Sequence, residues 1–401
     1  MTQQLAPKLR FPEFTDEWQV KKLGDFSVTF SGGTPTSSKK LFYDGNIPFI
    51  KSGEISSYKT AQRISEDALK KSSAKLVEKG DILYALYGAT SGQVAISNLE
   101  GAINQAILCI RPEANRYFIY SKLAADKTKI LNTFLQGGQG NLSAEIIKKL
   151  PIGLPRQDEQ QKIADFLTTV DKKIASIDKK VELLKQYKKG IMQKIFTQQI
   201  RFKDENGKEY SDWTDGNLGQ VLEFARNGLS LDQNSQERGY KVSRIETISE
   251  DRINLKKVGY LDTQTNIEEY KLSKGDLLFS NINSPAQIGR VVYVDQNYDL
   301  YHGMNLLCLR TANTDSSKYI YYLLSSRKYK QYFESICNKA VNQASINQTD
   351  LKKTKIKIPA KPEQQKIADF LSTIDDKIKA EETKLSNAKK FKKALLQRTF
   401  A

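Results

Sequence analysis

Residues 159–167 read EQQKIADFL, and residues 363–371 read EQQKIADFL again. The correspondence runs without a gap, at a constant offset of 204, from Glu159–Phe196 to Glu363–Phe400, and 19 of those 38 positions are identical. An offset of about half the 401-residue chain means that one unit is repeated, each copy ending in the same long segment. Such a chain has an internal pseudo-dyad, and duplex DNA is the commonest pseudo-dyadic partner.

The repeated segment reads as helix. Ile163, Leu167, Val170, Ile174, Ile177, Val181, Leu184 and Ile191 recur at 3–4 spacing, the seam of a coiled coil, with Lys188 where an apolar residue is due. Ile367, Leu371, Ile374, Ile378, Leu385 and Leu395 repeat the pattern, with Glu381 as the interruption. Phe166, Phe370, Tyr187 and Phe391 lie off the seam and suit packing under the globular parts or against partners. Asp158 with Gln161 reads as a capping box, and Pro362 suits a first helical turn. Thirty-eight residues span about 57 Å of helix. A helix that cannot bury its seam alone needs a partner, and the dyad makes the other copy, antiparallel, the economical one. The competing arrangement docks each helix on its own domain.

Upstream of each helix the copies are fainter. Trp18, Leu23 and Gly24 match Trp213, Leu218 and Gly219; Lys79–Leu83 (KGDIL) matches Lys274–Leu278 (KGDLL); Cys109 matches Cys308. Strand-like runs (IPFIKS, DILYALYG and QAILCIR; DLLFSNI, IGRVVYV and NLLCLR) alternate with Gly, Asn, Ser and Pro clusters. YFIYSKLAAD and KYIYYLLSSRKYKQYF suit short helices, and LPIGLPRQD and KIKIPAKP mark proline-rich joints. The expected fold is α+β: globular parts at 1–155 and 201–358, helices at 156–200 and 359–401, with the helices as a rigid antiparallel spacer.

The net charge of +17 and a pI near 9.4 favour a polyanionic partner, nucleic acid before membrane. No apolar run approaches the about 20 residues that span a bilayer. MTQQLAPKLRFPEF contains no hydrophobic signal region, so a cytoplasmic protein is expected. Three cysteines without a CxxC pair exclude a zinc ribbon, and Cys109 and Cys308 read as buried strand residues. The single histidine, His302, has no partner constellation around it and reads as an ordinary loop residue.

The helices keep half their residues between copies, while the globular parts keep only framework positions. One scaffold then presents two surfaces. On DNA, these would read two short sequences held a fixed distance apart.

EQQKIADFL followed by a lysine-rich helix, repeated after a diverged domain, resembles the specificity (S) subunit of type I restriction-modification enzymes. SGGTP (Ser31–Pro35), IPFIKSGEI (Ile47–Ile55), KGD with YGATSGQVAI (Tyr87–Ile96) and NQAILCIRP support the resemblance. The second unit departs from it, with RNG (Arg226–Gly228) for SGGTP and NINSPAQIGRVVYV for the GATSG stretch. The resemblance implies two target-recognition domains, each reading half of a bipartite double-stranded DNA site. It implies helices that set the spacing and dock two methyltransferase (modification) subunits, joined by restriction (motor nuclease) subunits. It implies a non-catalytic chain with no cofactor of its own; S-adenosylmethionine, ATP and magnesium belong to the partners.

The residues agree with that division of labour. Neither GxGxxG nor GxxxxGK[ST] occurs. Asn46-Ile47-Pro48-Phe49 approaches an adenine-methyltransferase motif but lacks its first proline and any preceding glycine-rich loop. Glu382-Thr383-Lys384 mimics part of a nuclease motif but suits a solvated helix face. Two rivals remain: a coiled-coil DNA-bridging protein without sequence preference, and a self-contained adenine methyltransferase.

Phosphate positioning calls for Lys, Arg, Ser, Thr and glycine amides, and base reading for Arg, Lys, Asn and Gln. The candidates in the first copy are Gly32, Gly33, Thr34, Lys39, Lys40, Lys51, Ser52, Thr90, Ser91, Gln136, Gln139 and Asn141. Those in the second are Arg226, Asn227, Lys241, Ser243, Arg244, Asn281, Asn283, Gln287, Arg290, Asn342 and Gln343. The mixed charges of the helices read mainly as a solvated face with i,i+4 pairs.

Overall fold

The structure is a computed structural model that describes residues 7–135, 141–312, 316–340 and 343–400. The chain forms two compact units, Met1–Lys179 with Glu382–Ala401, and Lys180–Glu381. The division cuts both long helices, Gln157–Phe196 and Lys361–Phe400, near mid-length.

Each unit is built on a four-stranded antiparallel sheet of the same order. In unit 1 it runs Ser27–Ser31, Ile107–Pro112, Ile82–Ala85, Val94–Ile96. In unit 2 it runs Leu222–Asn227, Leu307–Thr311, Leu277–Phe279, Val291–Tyr293. Cys109 and Cys308 occupy the same buried strand. Burial pushes the Cys109 thiol up to about 12 and raises Cys308 as well, so both pack as small apolar groups. The KGD repeat closes this sheet. Gly80 and Gly275 take φ of +95° and +102°, which a side chain would resist. Asp81 accepts the Glu78 N–H and a forked pair of hydrogen bonds from Arg111; Asp276 does the same with Ser273 and Arg310.

A second sheet flanks the first in unit 1, in the order Gln62–Ile64, Ile47–Ile50, Gly101–Ile103, Lys75–Val77. Its counterpart in unit 2 is reduced to Tyr240–Val242 with Gly259–Leu261, extended by single bridges through Tyr301. Unit 2 also has a three-stranded ribbon, Ile282–Asn283, Gln343–Ser345 and Asn338–Ala340. YFIYSKLAAD proves to be part of a longer helix, Arg116–Phe134. KYIYYLLSSRKYKQYF divides at Ser325 and Ser326 into Ser317–Leu324 and Arg327–Ile336.

The long helices complete these cores. In unit 1, Ile163, Leu167, Leu395 and Phe400 join the cluster around Trp18, Phe118 and Ile110. In unit 2, Ile367, Leu371, Ile374, Ile378, Met192, Ile195 and Phe196 join the cluster around Trp213, Tyr319 and Leu309. Both arrangements weighed from the sequence are therefore present: the helices pair antiparallel and each end docks on a globular part. Lys188 and Glu381 fit the seam by pairing. Lys188 Nζ lies 2.6 Å from Asp375 Oδ1, and Lys180 Nζ lies 3.0 Å from Glu381 Oε1. The capping box expected from Asp158 and Gln161 does not form. The helix begins at Gln157, and the Gln161 amide instead donates to Asp165 Oδ1 and accepts from Asn115. Pro362 does occupy the first turn of its helix, where a missing N–H costs nothing.

Candidate nucleic-acid interface

The repeated nonapeptide anchors each unit. Glu159 accepts Arg10 Nε and Nη2, both at 2.7 Å, and Trp18 Nε1 at 3.3 Å. Glu363 accepts Arg201 Nε at 3.3 Å and Nη2 at 2.9 Å, and Trp213 Nε1 at 2.9 Å. Both carboxylates are buried, and their hydrogen bonds hold the two arginines above the ordinary guanidinium range. The next residue reaches two backbones. Gln160 donates to Pro155 O and accepts Asn115 N; Gln364 donates to Pro359 O and accepts Ser316 N. Asn115 and Ser316 cap the following globular helices. Gln365 then bonds Asp369 as Gln161 bonds Asp165. Phe166 and Phe370 meet Phe11 and Phe202 edge-on at 6.0 and 5.5 Å. Sequence reasoning missed the Arg10-Phe11 and Arg201-Phe202 partners. Their signal is the short match of LRF at 9–11 with IRF at 200–202.

Phe166 is 42% exposed and lies outside the buried stripe. With Leu9, Phe11, Phe391 and Leu395 it lines an apolar groove of about 400 Å³ in unit 1. Phe391 and Tyr187 are also exposed. Ile174, Ile177, Leu184, Ile191 and Leu385 are half-buried on the seam.

The loops at the sheet ends carry the candidate DNA contacts. In unit 1, Lys39, Lys40 and Lys51 are exposed, and Ser52 lies in a turn packed beside Ile82–Ala85. Leu142 N donates to Leu86 O, which brings Asn141 beside the turn of Thr90 and Ser91. Thr34 bonds Gln105. Gly32 and Gly33 serve close chain crossings: a Cβ would lie 1.8 Å from Ile103 O or 2.6 Å from Ser73 Cβ. Gln136, Gln139 and Asn342 lie outside the described residues.

In unit 2, Ile346 N donates to Asn281 O, gathering Asn281, Asn283 and Gln343 on the three-stranded ribbon, with Gln287 in the adjoining turn. Asn227 and Arg244 are exposed, and Lys241 is half-buried. Four candidates face inward, Asn281 among them at 7% exposure. Arg226 is stacked between Phe224 and Tyr270 and bonded to Glu269. Arg290 pairs with Asp251 and donates to the Ile248 and Ser249 carbonyls. Ser243 is buried, accepting Gly303 N at 3.0 Å. His302 is also buried rather than an ordinary loop residue; burial lowers it to about 4, so it is neutral at neutral pH.

Among the described residues no cluster of His, Cys, Asp or Glu is arranged to hold a metal ion. No described helix is long and apolar enough to cross a membrane.

The similarities to known proteins follow this architecture. The family described as type I restriction modification DNA specificity domain matches residues 15–186 and again 210–390. The putative type I restriction enzyme MjaX specificity subunit of Methanocaldococcus jannaschii is 43% identical over 202 residues, 49% of this chain and 48% of that protein. That match spans about half of each. The MjaVIII specificity subunit of the same organism is 25% identical over 407 residues, covering 97% of this chain and 92% of the relative. The crystal structure of a type I restriction-modification S subunit from M. genitalium shares the fold, with a TM-score of 0.60 at 17% identity over 99% of each chain. Two matched domains that together span most of the sequence, on this shared fold, place the chain in one family: it belongs to the DNA specificity subunits of type I restriction-modification systems.

Proposed function

We propose that each unit reads one half of a bipartite double-stranded DNA site, with an unread gap between the halves. The observation that carries this reading is one anchored scaffold, built twice, whose exposed loops differ. Unit 1 offers the exposed Lys39, Lys40, Lys51 and Asn141, and unit 2 offers the exposed Arg244 and Gln343 with the half-buried Asn283 and Gln287. Lysines suit phosphates; amides and arginine suit base edges. The paired helices set the gap. Their exposed aromatic positions, Phe166 and Phe391 in unit 1 and Tyr187 in unit 2, are the docking points for two methyltransferase subunits, with restriction subunits joining that assembly. The chain is non-catalytic, and S-adenosylmethionine, ATP and magnesium are carried by the partners.

Genome-wide mapping of methylated adenine, with and without this gene, tests the reading. One bipartite motif with a fixed gap should lose methylation when the gene is removed. Loss of a single continuous motif would overturn the two-halves reading. A purified complex that binds all duplexes alike would favour the DNA-bridging rival.

A further inference from the structure

One arginine of unit 2 is held differently from four others of that unit. Arg226, Arg252, Arg290 and Arg310 are each tied to a carboxylate, Glu269, Glu250, Asp251 and Asp276. Arg244 is exposed, and its Nε donates to a neutral acceptor, the Gln233 side-chain carbonyl. That bond fixes the plane of the guanidinium, and among the described residues no carboxylate pairs with it.

The surroundings hold both partners. Ser243 N donates to Tyr301 O at 2.8 Å, which pins the strand end. Arg244 N donates to Thr247 Oγ1 at 2.8 Å, and Thr247 N returns to Arg244 O at 3.0 Å. Asn234 N donates to Tyr260 O at 2.9 Å, fixing the loop beside Gln233. Gly259 faces the pair across the strand ladder: a Cβ there would lie 1.9 Å from Gln233 Oε1 and 2.8 Å from Arg244 Nε. Glycine is what leaves room for the Gln–Arg pair.

Lys51 stands at the same place in unit 1. It too follows the strand end, opens a short helical turn, and has its N–H held by the side chain three residues on, Glu54. A lysine offers a point charge; a braced guanidinium offers a planar fork. The fork matches the O6 and N7 acceptors of guanine in the major groove.

We propose that Arg244 reads a guanine in the half-site recognised by unit 2, with Gln233 as its positioning residue; this rests on the half-site reading above. The test uses the complex with its methyltransferase subunits and duplexes carrying every single-base change in the mapped site. Arg244→Ala should lose roughly ten- to hundred-fold in discrimination at one G·C pair of one half-site, leaving the other half unchanged. Arg244→Lys should keep binding but lose that discrimination. Gln233→Leu should weaken it at the same pair only, which a general structural defect would not do. A uniform loss across all duplexes with a shallower salt dependence would make Arg244 a phosphate contact and overturn the proposal, as would an unchanged profile. A wild-type complex with no base preference would overturn the half-site reading itself.

Discussion

The helix entrances and the sheet-end loops of this chain have diverged to opposite degrees. At the entrances, Glu159 accepts both Arg10 and Trp18 as Glu363 accepts both Arg201 and Trp213, and only the carboxylate oxygen that the indole reaches differs. At the loops, equivalent positions hold Lys51 in one unit and a braced Arg244 in the other. A buried charge and its partners form a closed set, because changing one member strands the rest. An exposed loop residue answers only to what it contacts outside. The difference separates residues that hold the scaffold from residues that can vary its target.

The largest expected effect tests the entrances. Glu159→Ala removes the buried carboxylate from Arg10, which keeps the Asp16 carbonyl, and from the Trp18 N–H; Glu363→Ala does so to Trp213 and to Arg201, which keeps Asp212 and the Tyr210 and Ser211 carbonyls. Each should cost about 3–5 kcal/mol in its own unit. Hydrogen exchange resolved along the chain measures both. A loss in one unit without a matching loss in the other would break the equivalence.

Acid should separate the units. His302, the only histidine, lies in unit 2, and burial lowers it to about 4. The unfolded chain takes up its proton near pH 6.5, before the folded state does. Stability of unit 2 is therefore full above that pH and falls as the pH drops toward 4, by at most about 3 kcal/mol. In unit 1, burial pushes Asp81 up, but Arg111 and the Glu78 N–H outweigh it and hold the carboxyl below its ordinary range. Its contribution is present above the ordinary aspartate range and is lost only as pH falls through that lower value. Protection in unit 2 should thus weaken between pH 6.5 and 4 while unit 1 holds, and His302→Gln should remove the difference.

A third comparison concerns two glycines. Gly92 and Gly289 share φ values of +76° and +75°. A Cβ at Gly92 would meet the flexible end of Leu131 at 2.9 Å; at Gly289 it would meet Phe333 Cβ, next to the backbone, at 2.7 Å. Both alanine variants carry the backbone strain, and Gly289→Ala adds overpacking, so it should be the more destabilising by about 1–2 kcal/mol. Equal midpoint shifts in thermal unfolding would mean that Phe333 yields as easily as Leu131.

These glycines also mark where the sequence stopped being legible. The seam was readable because 3–4 spacing persists over many turns; the KGD match survives as a turn that needs a positive-φ glycine and a buried aspartate, and the cysteine match because it sits in a buried strand. The Gly92–Gly289 correspondence was hidden because only Ala89 with Ala286 and Val94 with Val291 accompany it, too few matches to stand out. Arg10 and Arg201 were hidden because their partner lies about 150 residues away in sequence, where no local pattern reports it. The loop candidates were chosen by residue type. Type alone cannot distinguish Arg226, stacked and bonded inward, from Arg244, which is exposed.

The smallest effect concerns the residue that interrupts the seam. Lys188 pairs with Asp375 in unit 2, and its counterpart Lys392 pairs with Asp171 in unit 1, at 2.6 and 2.7 Å. Tyr322 and Tyr117 donate their hydroxyls to the same two aspartates. All four ionic side chains are partly exposed, so solvent screens each pair, and double-mutant cycles should return only about 0.5–1 kcal/mol. Stability is then a poor reason for two lysines at positions that could hold an apolar residue. A polar group at a seam position fixes register, because any slip along the helix leaves the charge facing apolar side chains. Lys188→Met and Lys392→Met should accordingly leave thermal stability unchanged or slightly raised. A disulfide engineered to report helix register should form in one alignment in the wild type and in more than one when both lysines are replaced. If the double variant keeps a single alignment, register is set by the globular ends that grip each helix, and the two pairs are surface ion pairs and nothing more.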